Sequence, residues 1–160
     1  MSWRTDVRAS DVVAVRSLVA ETGFFSAEEI DVAAELVEET LTRGKAAGYE
    51  FVFADAPDAS GRLLGYSCYG AIPATVSSFD LYWIAVAAGK QRSGLGRELI
   101  RESERQARAM GASRMFVDTA GREQYAPTRA FYERMGYRKA AVLDDFYAPG
   151  DAKVIYAKTL

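Results

Sequence analysis

The sequence predicts one mixed α/β domain, with about four helices covering a largely antiparallel sheet of six to seven strands. Three observations predict it. The chain has 160 residues, the span of a single domain. Apolar residues recur at helical spacing in four segments, and short apolar or alternating runs fill the gaps between them. The elements fall in the order strand, two helices, three strands, helix, strand, helix, two strands, which fits helices packed on a sheet.

The elements follow from local signals. Trp3 to Val7 reads as a short first strand. Ser10 is a suitable N-cap for the helix DVVAVRSLVAET, which ends at Gly23. Ser26, with Glu29 three residues on, forms a capping box, so a second helix starts at Ala27 and runs towards Gly44 or Gly48. YEFVFAD is strand-like, Ala56 to Gly61 is a turn, and RLLGYSCYGAI pairs back on it. A loop around Pro73 leads to the strand SSFDLYWIAV. A helix runs from near Gly94 to Gly111, and RMFVDTA is the next strand. YAPTRAFYERM is a helix with Pro127 in its first turn and Gly136 just past its end. YRKAAVL and DAKVIYAKT close the sheet, joined through DDFYAPG.

Composition removes several function classes. Lys and Arg number 20 against 22 Asp and Glu, a net charge of −2, which argues against a protein built to hold nucleic acid. Cys68 is the only cysteine, so no intramolecular disulfide and no cysteine-based zinc site is expected. There is no histidine. Any general base must then be a carboxylate, a tyrosine, a lysine, a terminus or water, and no metal is expected. MSWRTDVRAS lacks the layout of a signal peptide, and no apolar run approaches a membrane span. The expectation is a cytoplasmic protein without a membrane partner.

QRSGLG, Gln91 to Gly96, follows an apolar strand and opens a helix. There the N–H groups of the first helical turn point outwards unpaired and, with the helix dipole, make an anion site. Gly94 and Gly96 let backbone approach a ligand closely. Arg92 and Arg97 add charge-assisted bonds to phosphate. The loop is neither a P-loop, since Gly-Lys-Ser/Thr is absent, nor a dinucleotide fingerprint, since a third glycine is missing.

The string WIAVAAGKQRSGLGRELI resembles the central signature of the GNAT superfamily of N-acetyltransferases, in which a Gln/Arg-x-x-Gly-x-Gly/Ala loop holds the pyrophosphate of acetyl-CoA. YAPTRAFYERMGY resembles the second signature of the same family. The resemblance covers most of the chain. It implies that Ile84, Ala85 and Val86 present backbone to the pantetheine arm. Gln91, Arg92, Ser93, Gly94, Leu95, Gly96 and Arg97 would cradle the pyrophosphate, and Thr128 and Phe131 would lie against the cofactor. Tyr132 would protonate the leaving thiolate. Two positions depart from the family: Tyr125 stands where Asn is common, and Thr128 where Ala is. Tyr125 either takes over the contact of that Asn or lines the acceptor pocket.

Thr128, Phe131, Tyr132 and Met135 share one helix face, as either a core stripe or a cofactor wall. A phenol with a pKa of about 10 is a near-matched donor to a thiolate. In FDLYWIAV, alternation puts Phe79, Leu81, Trp83 and Ala85 on one face and Asp80, Tyr82 and Ile84 on the other. Asp80 is the first candidate for the base that takes the amine proton, and Asp118, on the next strand, is the second. Glu28 and Glu29 either close the far side of the pocket or only cap a helix. Pairs such as Glu104 and Arg108 read as a solvated helix face. Cys68 reads as core. Among the aromatics, Phe24, Phe25, Tyr66, Tyr69 and Tyr82 are candidates for the pocket. The expected activity is direct acetyl transfer to an amine of a small molecule, peptide or protein. A non-catalytic acyl-CoA-binding module and a transferase of a larger acyl group stay open, as does a homodimer.

Overall fold

Seven strands form one sheet in the order β1-β2-β3-β4-β5-β7-β6 in the computed structural model, which describes residues 2–160. They are β1 (Trp3–Arg4), β2 (Glu50–Asp55), β3 (Leu63–Ala71), β4 (Ser78–Val86), β5 (Arg114–Ala120), β6 (Arg138–Ala148) and β7 (Asp151–Thr159). The helices are α1 (Asp11–Glu21), α2 (Ala27–Arg43), α3 (Leu95–Ala109) and α4 (Ala126–Arg134). Every pairing is antiparallel except β4 with β5, where α3 supplies the crossover that parallel strands require.

Each face of the sheet carries its own core. Leu99 and Ile100 of α3 and Tyr132 of α4 pack with Val52, Met115 and Tyr156 on one face. Val15 and Val19 of α1 and Val37 of α2 pack with Phe51, Phe53 and Tyr66 on the other. Each such side chain contributes about 1.5–3 kcal/mol on burial, so the two clusters hold the layers together.

The predicted capping box is present. The Ser26 hydroxyl accepts from the Glu29 N–H at 3.2 Å, and the Glu29 carboxylate accepts from the Ser26 N–H at 3.0 Å. Ser10 does not cap α1: its backbone is already helical and its side chain makes no cap bond. The Asp11 carboxylate accepts the Arg8 N–H instead, at 2.7 Å. Asp11 is also paired with Arg4, which in turn holds Asp55 at 2.7 Å, so one guanidinium ties β1, α1 and β2 together.

Three further expectations are corrected. The closing strand β6 runs on through Asp144 to Ala148, where a connection was expected. Between Leu143, paired with Lys153, and Ala148, paired with Asp151, β6 carries extra residues that bulge outwards, with Asp145 at φ 56°. Glu104 is not solvated. It is 3% exposed and accepts from the Tyr137 hydroxyl and the Lys158 ammonium, each at 3.0 Å. Finally, β4 does not alternate evenly. Cys68 pairs with Trp83 and Tyr69 with Leu81, so Tyr82 is an extra residue in a β-bulge. Phe79 and Leu81 therefore join the α3/α4 core, whereas Trp83 and Ala85 join the α1/α2 core.

That bulge matters for the site. β4 and β5 pair only at Ser78–Arg114, Phe79–Met115 and Asp80–Phe116. Beyond Asp80 the two strands part, and Ile84 to Val86 keep a partner on β3 alone. No helix is long and apolar enough to cross a membrane among the described residues.

Candidate active site

The gap between the parted strands opens into a cleft of about 1320 Å³. One end is the loop before α3. Arg92 and Gly94 both adopt positive φ, 62° and 88°, and this turns the chain so that α3 points its first turn at the cleft. The N–H groups of Leu95, Gly96 and Arg97 have no hydrogen-bond partner among the described residues. Helix N-termini leave such donors free, and partial positive charge collects there. Lys90, Arg92, Arg97 and Arg101 line the same end. An anion of several negative charges fits this donor set.

Most of the expected cofactor residues line the cleft: Ile84, Ala85, Val86, Gln91, Arg92, Gly94, Gly96, Arg97, Thr128 and Phe131. Two do not. Leu95 turns inwards and is 3% exposed, and the Ser93 hydroxyl donates to the Lys90 carbonyl. At Gly96 a Cβ would stand 3.5 Å from the Phe131 ring and 3.7 Å from Val86, so α3, α4 and β4 converge there. Gly96 keeps that junction from being filled by a side chain.

Pro127 in the first turn of α4 fixes that helix, which turns Thr128, Phe131, Tyr132 and Met135 to the cleft. Tyr132 is 5% exposed, its ring packs near Tyr137 and Tyr156, and burial pushes its phenol pKa upwards. No side chain among the described residues hydrogen-bonds its hydroxyl, and burial alone perturbs it. It is a phenol held in its protonated form with its proton uncommitted.

At the opposite end lie carboxylates. Asp118 lines the cleft, half exposed, with the Lys153 ammonium at 3.1 Å. Asp80 does not line it. Asp80 sits opposite Phe116 at the last pair before the strands part, on the sheet face that Asp118 shares two residues further on. Burial raises its pKa, the charge of Asp118 adds to the rise, and Lys153 opposes it. Glu29 lines the cleft as well, but Glu28 does not. The phenol of Tyr82, on the bulge, is pushed up to about 12, chiefly by burial.

The mouth is aromatic. Phe24, Phe25 and Tyr82 line it, whereas Tyr66 and Tyr69 lie in the core at 1% exposure. Tyr125 lines it beside Arg122, whose guanidinium lies 5.1 Å from the ring centroid. The sequence reading missed Arg122, Tyr147 and Asp151, all on the wall of this end. Tyr147 was hidden because DDFYAPG reads as a plain connection. Arg101 had a visible signal: it lies one helical turn after Arg97.

The chain matches the family model described as the acetyltransferase (GNAT) family over residues 19–137. No curated protein matches it significantly. Among solved structures, it is similar to a GNAT-family protein from Desulfovibrio desulfuricans at 49% identity, covering 99% of this chain and 98% of that one, with a TM-score of 0.95. An aminoglycoside 6'-N-acetyltransferase complexed with coenzyme A shares the fold at 19% identity, 99% and 97% coverage and a TM-score of 0.74. So does a ribosomal-protein-alanine N-acetyltransferase from Brucella melitensis, at 16% identity, full coverage of both chains and a TM-score of 0.74.

Proposed function

Because the chain belongs to the acetyltransferase (GNAT) family, we propose that it transfers the acetyl group of acetyl-CoA directly to an amine. The observation that carries this reading is the joining of two sites in one cleft: free N–H groups and cations at the start of α3, and Tyr132 with Asp118 beyond them.

Acetyl-CoA supplies an acyl group already activated as a thioester. The first turn of α3, with Arg92 and Arg97, holds the pyrophosphate through N–H donors and charge. Ile84 to Val86 offer backbone groups on the side that faces no strand. They hold the pantetheine arm like one more strand, and an N–H near Val86 takes the charge that develops on the acyl oxygen. An amine is protonated at neutral pH and must lose a proton before it attacks. Asp118 stands on the wall to receive it. Asp80, behind Asp118 and off the cleft wall, acts as the base in its place only if a water relays the proton from the amine to its carboxylate. Tyr132 gives its proton to the departing sulfur. The cleft supplies the remaining gain by holding both reactants in line.

The open acceptor end favours this reading over a binding module without turnover. Calorimetric titration with acetyl-CoA tests it, alongside Gly94→Trp. A bulky residue at φ 88° is strained and obstructs the loop. Wild-type binding that the substitution abolishes supports the cradle. Equal binding by both proteins places the cofactor elsewhere.

A further inference from the structure

We infer that Asp151 reads the acceptor, its buried carboxylate taking a hydrogen bond from a second, protonated amine, so that the substrate is a di- or polyamine. This inference rests on the acetyl-transfer reading and deepens it.

Asp151 opens β7, is 8% exposed and lies on the cleft wall. Its Oδ2 holds the Arg122 guanidinium at 3.1 Å. Its Oδ1 is buried and has no hydrogen-bond partner among the described residues. An ionised carboxylate accepts at about four lone-pair sites, and buried polar atoms in folded chains are nearly always partnered. An orphaned acceptor atom on the wall of a cleft is one held for a donor that the chain itself does not supply.

The register places it. β5 and β7 pair from Asp118–Ile155 to Ala120–Lys153, and the Gly121 N–H then bonds to the Ala152 carbonyl. Asp151 thus lies just past the end of β5. It falls on the sheet face that Asp118 and Lys153 share, because alternate residues of β7 point the same way. Asp118 and Asp151 therefore stand on one side of the cleft, and since Asp118 is level with Ile155, four residues along β7 from Asp151, they are about 13 Å apart along the strand. A single small amine does not reach both.

Charge decides what the donor is. The α3 end carries Lys90, Arg92, Arg97 and Arg101. The other end carries Glu29, Asp118 and Asp151, with Asp80 behind them, against Arg122 and Lys153. The acceptor end is therefore net negative, and a neutral hydroxyl would satisfy Oδ1 without answering the charge. The attacking amine is neutral when it reacts, so it is not the group that answers it. A second ammonium is. Tyr147, half exposed on the same wall, adds an aromatic face of the kind cations favour.

The test is calorimetric titration of the CoA-saturated protein with putrescine, spermidine and butylamine. The diamine and triamine should bind at least about tenfold more tightly than butylamine, the scale of one charge-assisted hydrogen bond. Asp151→Asn should erase that preference and leave CoA affinity unchanged. Arg122→Gln separates recognition from structure. If Asp151 only anchors Arg122, both variants lose the preference. If it reads a cation, Arg122→Gln keeps or strengthens it. Equal affinity for all three amines, no measurable polyamine binding, or a preference that survives Asp151→Asn overturns the inference. Failure of CoA itself to bind is a different result, and removes the acetyl-transfer reading with it.

Discussion

The rings of Phe24 and Tyr125 meet edge to face across the mouth of the cleft, their centroids 4.7 Å apart. Phe24 comes from the loop between α1 and α2, Tyr125 from the turn before α4. The contact continues from Phe24 to Phe25 at 5.3 Å and from Phe25 to Trp83 at 4.8 Å. The mouth is thus framed by side chains from three separated stretches of chain.

An acceptor must pass or displace this pair. Tyr125→Ala should lower stability by about 0.5–1.5 kcal/mol, the worth of an aromatic pair. It should change the acceptor KM by about two- to tenfold and leave acetyl-CoA binding intact. If acetyl-CoA binding weakens instead, Tyr125 contacts the cofactor and has taken the place of the family's Asn.

Tyr132→Phe removes a hydroxyl that no side chain among the described residues hydrogen-bonds, so stability should stay within about 0.5 kcal/mol. Turnover should fall on the order of a hundredfold, the usual scale of acid–base assistance. CoA affinity should not change. Full turnover with altered stability would make the tyrosine a core residue only.

Asp80 carries a pH dependence with a definite sign. Its folded pKa lies above the ordinary 3.8, because burial and Asp118 disfavour its charge. The folded chain therefore holds this proton more tightly than the unfolded chain. The contribution to stability is present at low pH and is lost as pH rises from near 3.8 through the folded value. Asp80→Asn should accordingly be more stable than wild type at neutral pH, with the difference gone by about pH 3. Its rate should fall most between the folded pKa of Asp80 and the pKa of the amine, where the carboxylate is ionised and the amine still needs help to lose its proton. Urea melts and kcat/KM profiles across pH check both halves.

Lys158 holds Glu104 at 3.0 Å and the Met135 carbonyl at 2.8 Å, and so ties β7 and α3 to the C-terminus of α4. Lys158→Met leaves the buried Glu104 carboxylate with only the Tyr137 hydroxyl at 3.0 Å and the Arg108 guanidinium at 4.0 Å, and should cost on the order of 3 kcal/mol. The double variant with Glu104→Gln should recover much of that loss. Additive losses in denaturant melts would mean that the pair is not coupled.

Much of the fold was legible because local signals agree with the tertiary answer. The Ser26–Glu29 box, the glycines that close α2, α3 and α4, and Pro127 in α4 each stand where the chain turns. The failures share a cause: each depends on a partner far along the chain. Asp11 displaced Ser10 because Arg4 is nearby. Glu104 was buried because Lys158 and Tyr137 reach it. The bulge at Tyr82 reversed the faces of β4 because β3 fixes the register on both sides of it. In the site, the loop and the α4 face were readable as motifs. Asp151 and Tyr147 were not, since only the extra residues of β6 and the β5–β7 register bring them to the wall.

The most direct measurement is thiol release from acetyl-CoA across a panel of mono-, di- and polyamines, read against wild type and Tyr132→Phe. Release should depend on both acetyl-CoA and one amine class, with N-acetylated amine as product and a large loss in the variant. Tight acetyl-CoA binding with no amine-dependent release from any member of the panel would contradict it, and would make the cleft a site that holds the cofactor without using it.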